Sequence, residues 1–310
     1  MADDQWDFPT LVTGATGYIG RHLIGHLAQC GSSILALSRQ GQATGFANCE
    51  SATYNALESK ARCSGGRLKV GTLVHLAGIA GRASLPSADG EAALALARQM
   101  GGLASTVAVR RVVLASSVYA SAEQAGQRSP YGAHKLEIET ALREAFDGEL
   151  ILLRLPPLYG GCEVHSGVSK LWRLVQRGFP LPFLQATALR DYLAIGNLVD
   201  LIERLLVPAG IDSGRGATVT YEPSDGRAIS TRGLVEMMMA LQARKAAMFP
   251  IPKSVMVAID VLARQGGSLS APFFPLRTKG NESIGQDTGW TPVVRFPGSL
   301  DYLQGAATPT

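Results

Sequence analysis

The sequence predicts an α/β protein: a doubly wound parallel sheet with a smaller C-terminal lobe. Three observations predict it. Short runs rich in Val, Ile and Leu alternate with helical stretches through the first half, the pattern of strands buried on both faces and joined by crossover helices. A glycine-rich turn at 14–20 follows the first run and opens the first helix. Beyond residue 156 the alternation gives way to prolines at 156–157, 180–182, 250–252 and 272–275.

In order, Thr10–Thr13 reads as a strand, Tyr18–Gln29 as an amphipathic helix and Ser33–Leu37 as a second strand. The stretch 42–70 is weaker, and Tyr54–Leu57 reads as the end of an extra short strand. Leu73–Leu76 is a strand, Glu91–Val107 an alanine-rich helix, and Arg111–Ala115 a strand that runs into Ser116-Ser117. Tyr131–Phe146 is a helix, and Glu149–Leu155 a strand stopped by Pro156-Pro157. Helical pieces follow at 167–177, 197–206 and 231–247. The division expected is 1–157 for the doubly wound domain and 158–310 mainly for the smaller lobe, interleaved around 186–206.

Composition excludes several classes. With 46% apolar and 17% charged residues, the chain has the opposite balance to a disordered one. A net charge of +4 without any Lys/Arg block gives no footing for nucleic acid. The acidic start MADDQWDFP lacks the apolar core of a signal peptide. No window offers the ~20 apolar residues of a membrane span, so a cytoplasmic protein is expected. The four cysteines form no C-x-x-C pair and show no metal-ligand spacing with the five histidines. Reduced thiols and no metal are expected.

The glycine turn carries the first chemistry. Gly14, Gly17 and Gly20 are spaced G-x-x-G-x-x-G between a strand and a helix. Glycine there lets the backbone approach a pyrophosphate, which the helix N-terminus attracts. A Rossmann-type dinucleotide site follows. No acid occurs between Gly20 and Glu50 to meet a ribose 2′-hydroxyl; the second strand ends in Ser38-Arg39. An arginine there suits a 2′-phosphate, so NADP(H) is favoured and NAD(H) is the alternative. Tyr131 and Lys135 are four apart and share a helix face. An ammonium beside a phenol lowers the phenol's pKa, which a tyrosine acid/base requires. His75 reads as a core or near-cofactor histidine, and Met237–Met239 as helix core. His134 reads as a surface or interface group off the catalytic face, and Trp290 as packing. His165 falls in the substrate loop.

Taken together, VTGATGYIG (12–20), LVHLAG (73–78), VVLASSVYA (112–120), SPYGAHK (129–135), LRLPPLYGG (153–161), RGFPLPF (177–183), RDYLAIGNLVDLI (190–202) and GWTP (289–292) resemble the extended short-chain dehydrogenase/reductases. The resemblance is closest to the NAD-dependent epimerase/dehydratase group acting on nucleotide sugars. It implies Tyr131 as acid/base, Lys135 on the nicotinamide ribose, and Ser117 on the reacting oxygen. The cofactor residues it implies are Gly14, Thr16, Gly17, Tyr18, Ile19, Gly20, Ser38, Arg39, Asn55, Ala56, Leu76, Ala77, Gly78 and Pro157, with Tyr131 and Lys135. Asn55 stands where the group usually has an aspartate near the adenine. Arg190 resembles the arginine that grips the substrate diphosphate.

The implied activity is hydride transfer at C4 of a nucleoside-diphosphate sugar, UDP-linked, by a 4-epimerase or a 4-ketoreductase. The alternatives are a catalytically weak NADP(H)-binding regulator and a ketoreductase of a non-sugar molecule. A homodimer through the 91–107 and 131–146 helices is implied by the same resemblance. Four departures bear on the substrate: Tyr131 follows Ser117 by only 14 positions, Ala93 stands near the place of the asparagine usual in the helix before the Ser-Ser strand, Ser166, Gly167 and Val168 stand where an asparagine is common after LYGG, and 277–288 matches the group poorly.

Overall fold

The computed structural model describes residues 8–42, 44–63, 69–78, 88–107, 109–121, 130–161, 166–206, 216–262 and 269–294. The elements of the first half are β1 (Phe8–Thr13), α1 (Tyr18–Gln29), β2 (Ile34–Leu37), β3 (Cys49–Ala52), α2 (Tyr54–Cys63), β4 (Val70–His75), α3 (Ala88–Thr106), β5 (Arg111–Ser117), α4 (Pro130–Ala145) and β6 (Glu149–Leu155). Then come β7 (Leu158–Tyr159), α5 (Gly167–Gln176), β8 (Leu189–Arg190), β9 (Leu193–Ala194), α6 (Ile195–Leu206), β10 (Thr218–Tyr221), β11 (Ile229–Ser230), α7 (Thr231–Leu241), α8 (Lys253–Leu262) and α9 (Glu282–Thr288).

Seven strands form one sheet in the order β10-β6-β5-β4-β1-β2-β3, every pair parallel. Successive strand residues feed opposite layers. Leu11, Leu35, Val112, Leu114, Leu150 and Leu152 pack with α2, α3 and α4. Val12, Ala36, Val113, Ile151 and Leu153 pack with α1, α6, Ile284 and Trp290. This is why the strands read as continuous apolar runs rather than alternating ones. A third core, around Tyr159, Trp172, Tyr192, Leu234 and Met238, sits between α5 and α7.

The doubly wound sheet is as expected, and four details differ. Tyr54–Leu57 opens α2 instead of ending a strand, because the Thr53 hydroxyl accepts the Ala56 N–H at 3.1 Å and caps a helix. The short strand lies just before it, at β3. β10 was not expected; it returns the chain to the sheet beside β6. The helix read over 231–247 stops at Leu241, and Ala243 takes a φ of 48°, which a helix interior forbids. Helices α8 and α9 were not anticipated. Among the described residues no helix is long and apolar enough to cross a membrane.

Candidate active site

β1 has β2 on one side and β4 on the other, so the winding direction reverses there. Open α/β sheets bind ligands beyond the carboxyl ends of the strands at such a point. Thr13 closes β1. Its hydroxyl oxygen accepts the N–H groups of Leu76 (3.2 Å) and Ala77 (3.3 Å) and lies 2.8 Å from Nδ1 of His75. With two N–H groups donating to it, the hydroxyl gives its own proton to Nδ1. Neutral His75 then carries its proton on Nε2. That atom is buried without a hydrogen-bond partner among the described residues. Burial, helped by the charge of Lys135, lowers the His75 pKa to about 4. The core histidine expected from sequence is therefore a neutral ring beside the site.

Gly14 follows at a φ of +69°, and a Cβ there would lie 2.7 Å from the Ala77 nitrogen. Only glycine lets these two strand ends come together. A Cβ on Gly20 would meet the Gly14 carbonyl at 2.3 Å, so α1 rides directly on the turn. Gly17 begins α1 without a side-chain cap, which leaves first-turn N–H groups for an anion. Thr16 is exposed and Ile19 half-buried. Tyr18 donates to the Gly160 carbonyl at 2.8 Å, and His22 Nε2 lies 3.0 Å from the Gly161 carbonyl. The Gly160–Gly161 turn thereby clasps α1. Pro157, half-buried, ties β6 to the second lobe through the Leu193 N–H (3.2 Å). A glycine cradle at an uncapped helix end fits a dinucleotide pyrophosphate.

At the end of β2, buried Ser38 accepts the Gln42 N–H at 3.1 Å, while Arg39 is exposed. Asn55 and Ala56 are exposed on the first turn of α2. Sequence reasoning missed Tyr54. Its phenol is hydrogen-bonded to the Gly14 backbone and faces the charge of Arg39, and burial pushes its pKa up.

The charged centre stands on α4. Pro130 starts the helix, a position where its missing N–H costs nothing. Lys135 is buried, its Nζ 3.4 Å from where a Gly78 Cβ would be and 5.8 Å from the Tyr131 ring centre. Burial lowers its pKa to about 8, against the upward pull of Glu139. Ser117 is buried at the end of β5, and its Oγ accepts the Tyr119 N–H at 3.4 Å, which leaves the Ser117 proton to donate elsewhere. Arg190 is buried too. Its Nη1 donates to the Ala271 (2.5 Å) and Phe274 (2.8 Å) carbonyls, and its Nη2 to the Tyr119 hydroxyl (3.0 Å). The Tyr119 ring meets Tyr131 edge-on, with centres 6.4 Å apart.

Behind this centre lies a buried ion pair. Glu139, fully buried, accepts from the Ser116 hydroxyl (2.5 Å) and from Arg154 Nε (3.1 Å) and Nη2 (2.8 Å). Two signals could have found it: Tyr131, Lys135 and Glu139 repeat every four residues, and Arg154 is a charge inside an apolar strand. His134 departs from expectation. Its ring is buried, with Nδ1 3.7 Å from Glu137. The expected substrate-loop His165 lies outside the described residues.

Gly132 holds the N-terminal end of α4 in place. A Cβ there would lie 2.3 Å from the Tyr119 carbonyl oxygen and 3.0 Å from its carbon. Gly132→Ala therefore pushes the helix start off the 118–120 turn. The expected cost is about 1–3 kcal/mol of stability, read by chemical denaturation, with loss of activity under conditions where the variant stays folded.

The profile of the NAD-dependent epimerase/dehydratase family matches residues 10–215. The chain belongs to that family. Over 126 residues it is 32% identical to the UDP-glucose 4-epimerase of Vibrio cholerae, a match covering 39% of this chain and 37% of that one. The chain thus spans little more than a third of that curated relative. Among solved structures, MoeE5 in complex with UDP-glucose and NAD superposes with a TM-score of 0.70 at 22% identity, covering 95% of this chain and 97% of the other. The UDP-glucose 4-epimerase of Thermotoga maritima with UDP-glucose gives 0.70 at 17% identity, covering 96% and 98%. The family member described here shares the fold of both.

Proposed function

We propose that this protein is a nicotinamide-dinucleotide-dependent enzyme that moves a hydride at C4 of a nucleoside-diphosphate sugar, as a 4-epimerase or 4-ketoreductase. One observation carries the reading: the Lys135 ammonium is buried beside Gly78 and the Tyr131 ring, on the edge of the sheet where the glycine turn stands. The fold match to sugar-nucleotide enzymes supports the substrate class. The dinucleotide, when bound, supplies the hydride acceptor and donor.

The chain's own residues do the rest. Gly14, Thr16, Gly17 and Ile19 hold the pyrophosphate, while Asn55 and Ala56 flank the adenine. Leu76, Ala77, Gly78 and Pro157 wall the nicotinamide end. Tyr131 removes the proton of the sugar hydroxyl in oxidation and returns it in reduction. Lys135 holds the ribose and stabilises the Tyr131 phenolate. Ser117 donates to the reacting oxygen. Arg190 reaches the substrate diphosphate by exchanging the neutral Ala271 and Phe274 carbonyls for charged oxygens, which bind a guanidinium more strongly. Family analogy adds a homodimer through α3 and α4; a monomeric mass at micromolar concentration counts against it.

The test is incubation with UDP-glucose or a UDP-4-keto-6-deoxyhexose and either dinucleotide. Interconversion of C4 epimers without net cofactor change marks the epimerase, and stoichiometric NADPH loss the reductase. Absence of both with every UDP-sugar overturns the reading. Turnover of a non-sugar ketone, or dinucleotide binding with no turnover at all, supports the two alternatives.

Exposed Arg39, with no acid at the end of β2, favours a 2′-phosphate. Arg39→Ala is expected to weaken NADP⁺ binding about tenfold or more, as lost charge-assisted hydrogen bonds of ~1.5–3 kcal/mol require, and to leave NAD⁺ binding unchanged. Equal effects on both dinucleotides in a fluorescence titration reject the preference.

A further inference from the structure

Far from the proposed active site, the end of α1 meets α6. His26 in the last turn of α1 and Cys30, the residue that ends the helix, are one helical turn apart, so both present to the same side. Glu203 comes from α6. His26 Nε2 lies 2.6 Å from Glu203 Oε2 and 4.0 Å from Cys30 Sγ. All three potential ligand atoms lie within 4.8 Å of one another. We propose that His26, Cys30 and Glu203 bind one borderline divalent cation of the zinc class across the α1–α6 contact, with solvent completing the coordination.

The chemistry of the donors selects the ion. Thiolate, imidazole and carboxylate together suit zinc and exclude the hard cations, which take oxygen alone. The geometry needs little change. Bond lengths of ~2.0–2.3 Å in a tetrahedron put the nitrogen and oxygen about 3.3 Å apart, and the sulfur and nitrogen about 3.6 Å apart. The His26–Glu203 pair must therefore open by about 0.7 Å and Cys30 close by about 0.4 Å, within the reach of side-chain torsions.

The backbone carrying the ligands is held firmly. The Cys30 and Gly31 N–H groups close the end of α1 on the His26 and Ala28 carbonyls, each at 3.1 Å, and Asn48 Nδ2 donates to the carbonyls of Ala28 (3.2 Å) and Ser32 (2.7 Å). A helix C-terminus also favours a cation through its dipole. Half-exposed His26 and Glu203 and exposed Cys30 give an entry path. Coordination by a thiolate releases the thiol proton, so binding tightens as pH rises. Sequence spacing alone hid the site, since its third ligand lies on a distant helix.

Cobalt(II) titration of the full chain tests the proposal. One equivalent is expected to give a sulfur-to-cobalt charge-transfer band with tetrahedral visible bands, and zinc(II) to displace it. Cys30→Ser abolishes the charge-transfer band. His26→Ala and Glu203→Gln each weaken binding by more than the ~10–100-fold typical of an outer-shell partner. Cys49→Ser and Cys63→Ser leave the band in place. Zinc(II) also raises the unfolding temperature of the parent chain and not of Cys30→Ser. No charge-transfer band, or one that survives Cys30→Ser or disappears in Cys49→Ser or Cys63→Ser, overturns the assignment. Dinucleotide binding is expected to persist without the metal, so failure here leaves the proposed enzymatic reading intact.

Discussion

Tyr131→Phe is expected to lower kcat for the UDP-sugar reaction by ~10²–10⁴-fold, the usual loss when a positioned acid/base is removed. The substitution takes away one oxygen and keeps the ring that meets Tyr119 edge-on. Fold and dinucleotide affinity should therefore match the parent protein. The loss falls on kcat and kcat/KM together, because the missing group acts in the transition state. Lys135→Met removes both jobs given to the lysine, so unlike Tyr131→Phe it is expected to weaken dinucleotide binding as well as the chemical step. Single-turnover reduction of bound NAD(P)⁺ by the sugar reads the chemical step directly. Retention of more than a tenth of the parent rate in Tyr131→Phe removes Tyr131 from the proposed mechanism.

How much of this site could be read beforehand follows from the kind of interaction involved. The turn at Gly14 and the Tyr131–Lys135 pair were legible because each is local: a helix and a strand end fix the relative positions of nearby residues. Burial of Lys135 was not legible, since it depends on β4 reaching Gly78 beside α4. Arg190 shows the same limit. Its place in a motif marked it as functional, yet two of its partners are the carbonyls of Ala271 and Phe274, which any residues could supply. Tyr119 sat unremarked after two serines, and only packing sets its ring against Tyr131. In the fold, β10 was invisible because only Tyr221 of its four residues is fully buried, so an edge strand lacked the apolar run that marked the others. Thr53 turned an expected strand end into a helix start through a single hydroxyl.

Glu139 is the residue whose loss should cost most outside the reacting groups, and it acts through Lys135. Its carboxylate is fully buried, bonded twice to Arg154 and once to Ser116. Glu139→Leu takes from the Arg154 guanidinium, 15% exposed, its bonded carboxylate and leaves the Glu222 carboxylate at 3.9 Å. Breaking one side of a buried pair costs about 3–5 kcal/mol, to be measured by urea denaturation. The electrostatic consequence is separable. Burial holds the Lys135 pKa at about 8, and the Glu139 charge is what opposes that fall. Removing the charge lowers the Lys135 pKa further. The ammonium that favours the Tyr131 phenolate is then lost at a lower pH, so the alkaline limb of kcat/KM moves toward neutrality in Glu139→Gln. A purely structural role for Glu139 would scale the profile down at every pH and leave its limb in place. The double variant Glu139→Leu/Arg154→Met distinguishes the two roles, because replacing a whole buried pair by apolar groups is often neutral for stability. Stability should return with the second substitution while the displaced limb stays displaced, since no carboxylate has been restored beside Lys135.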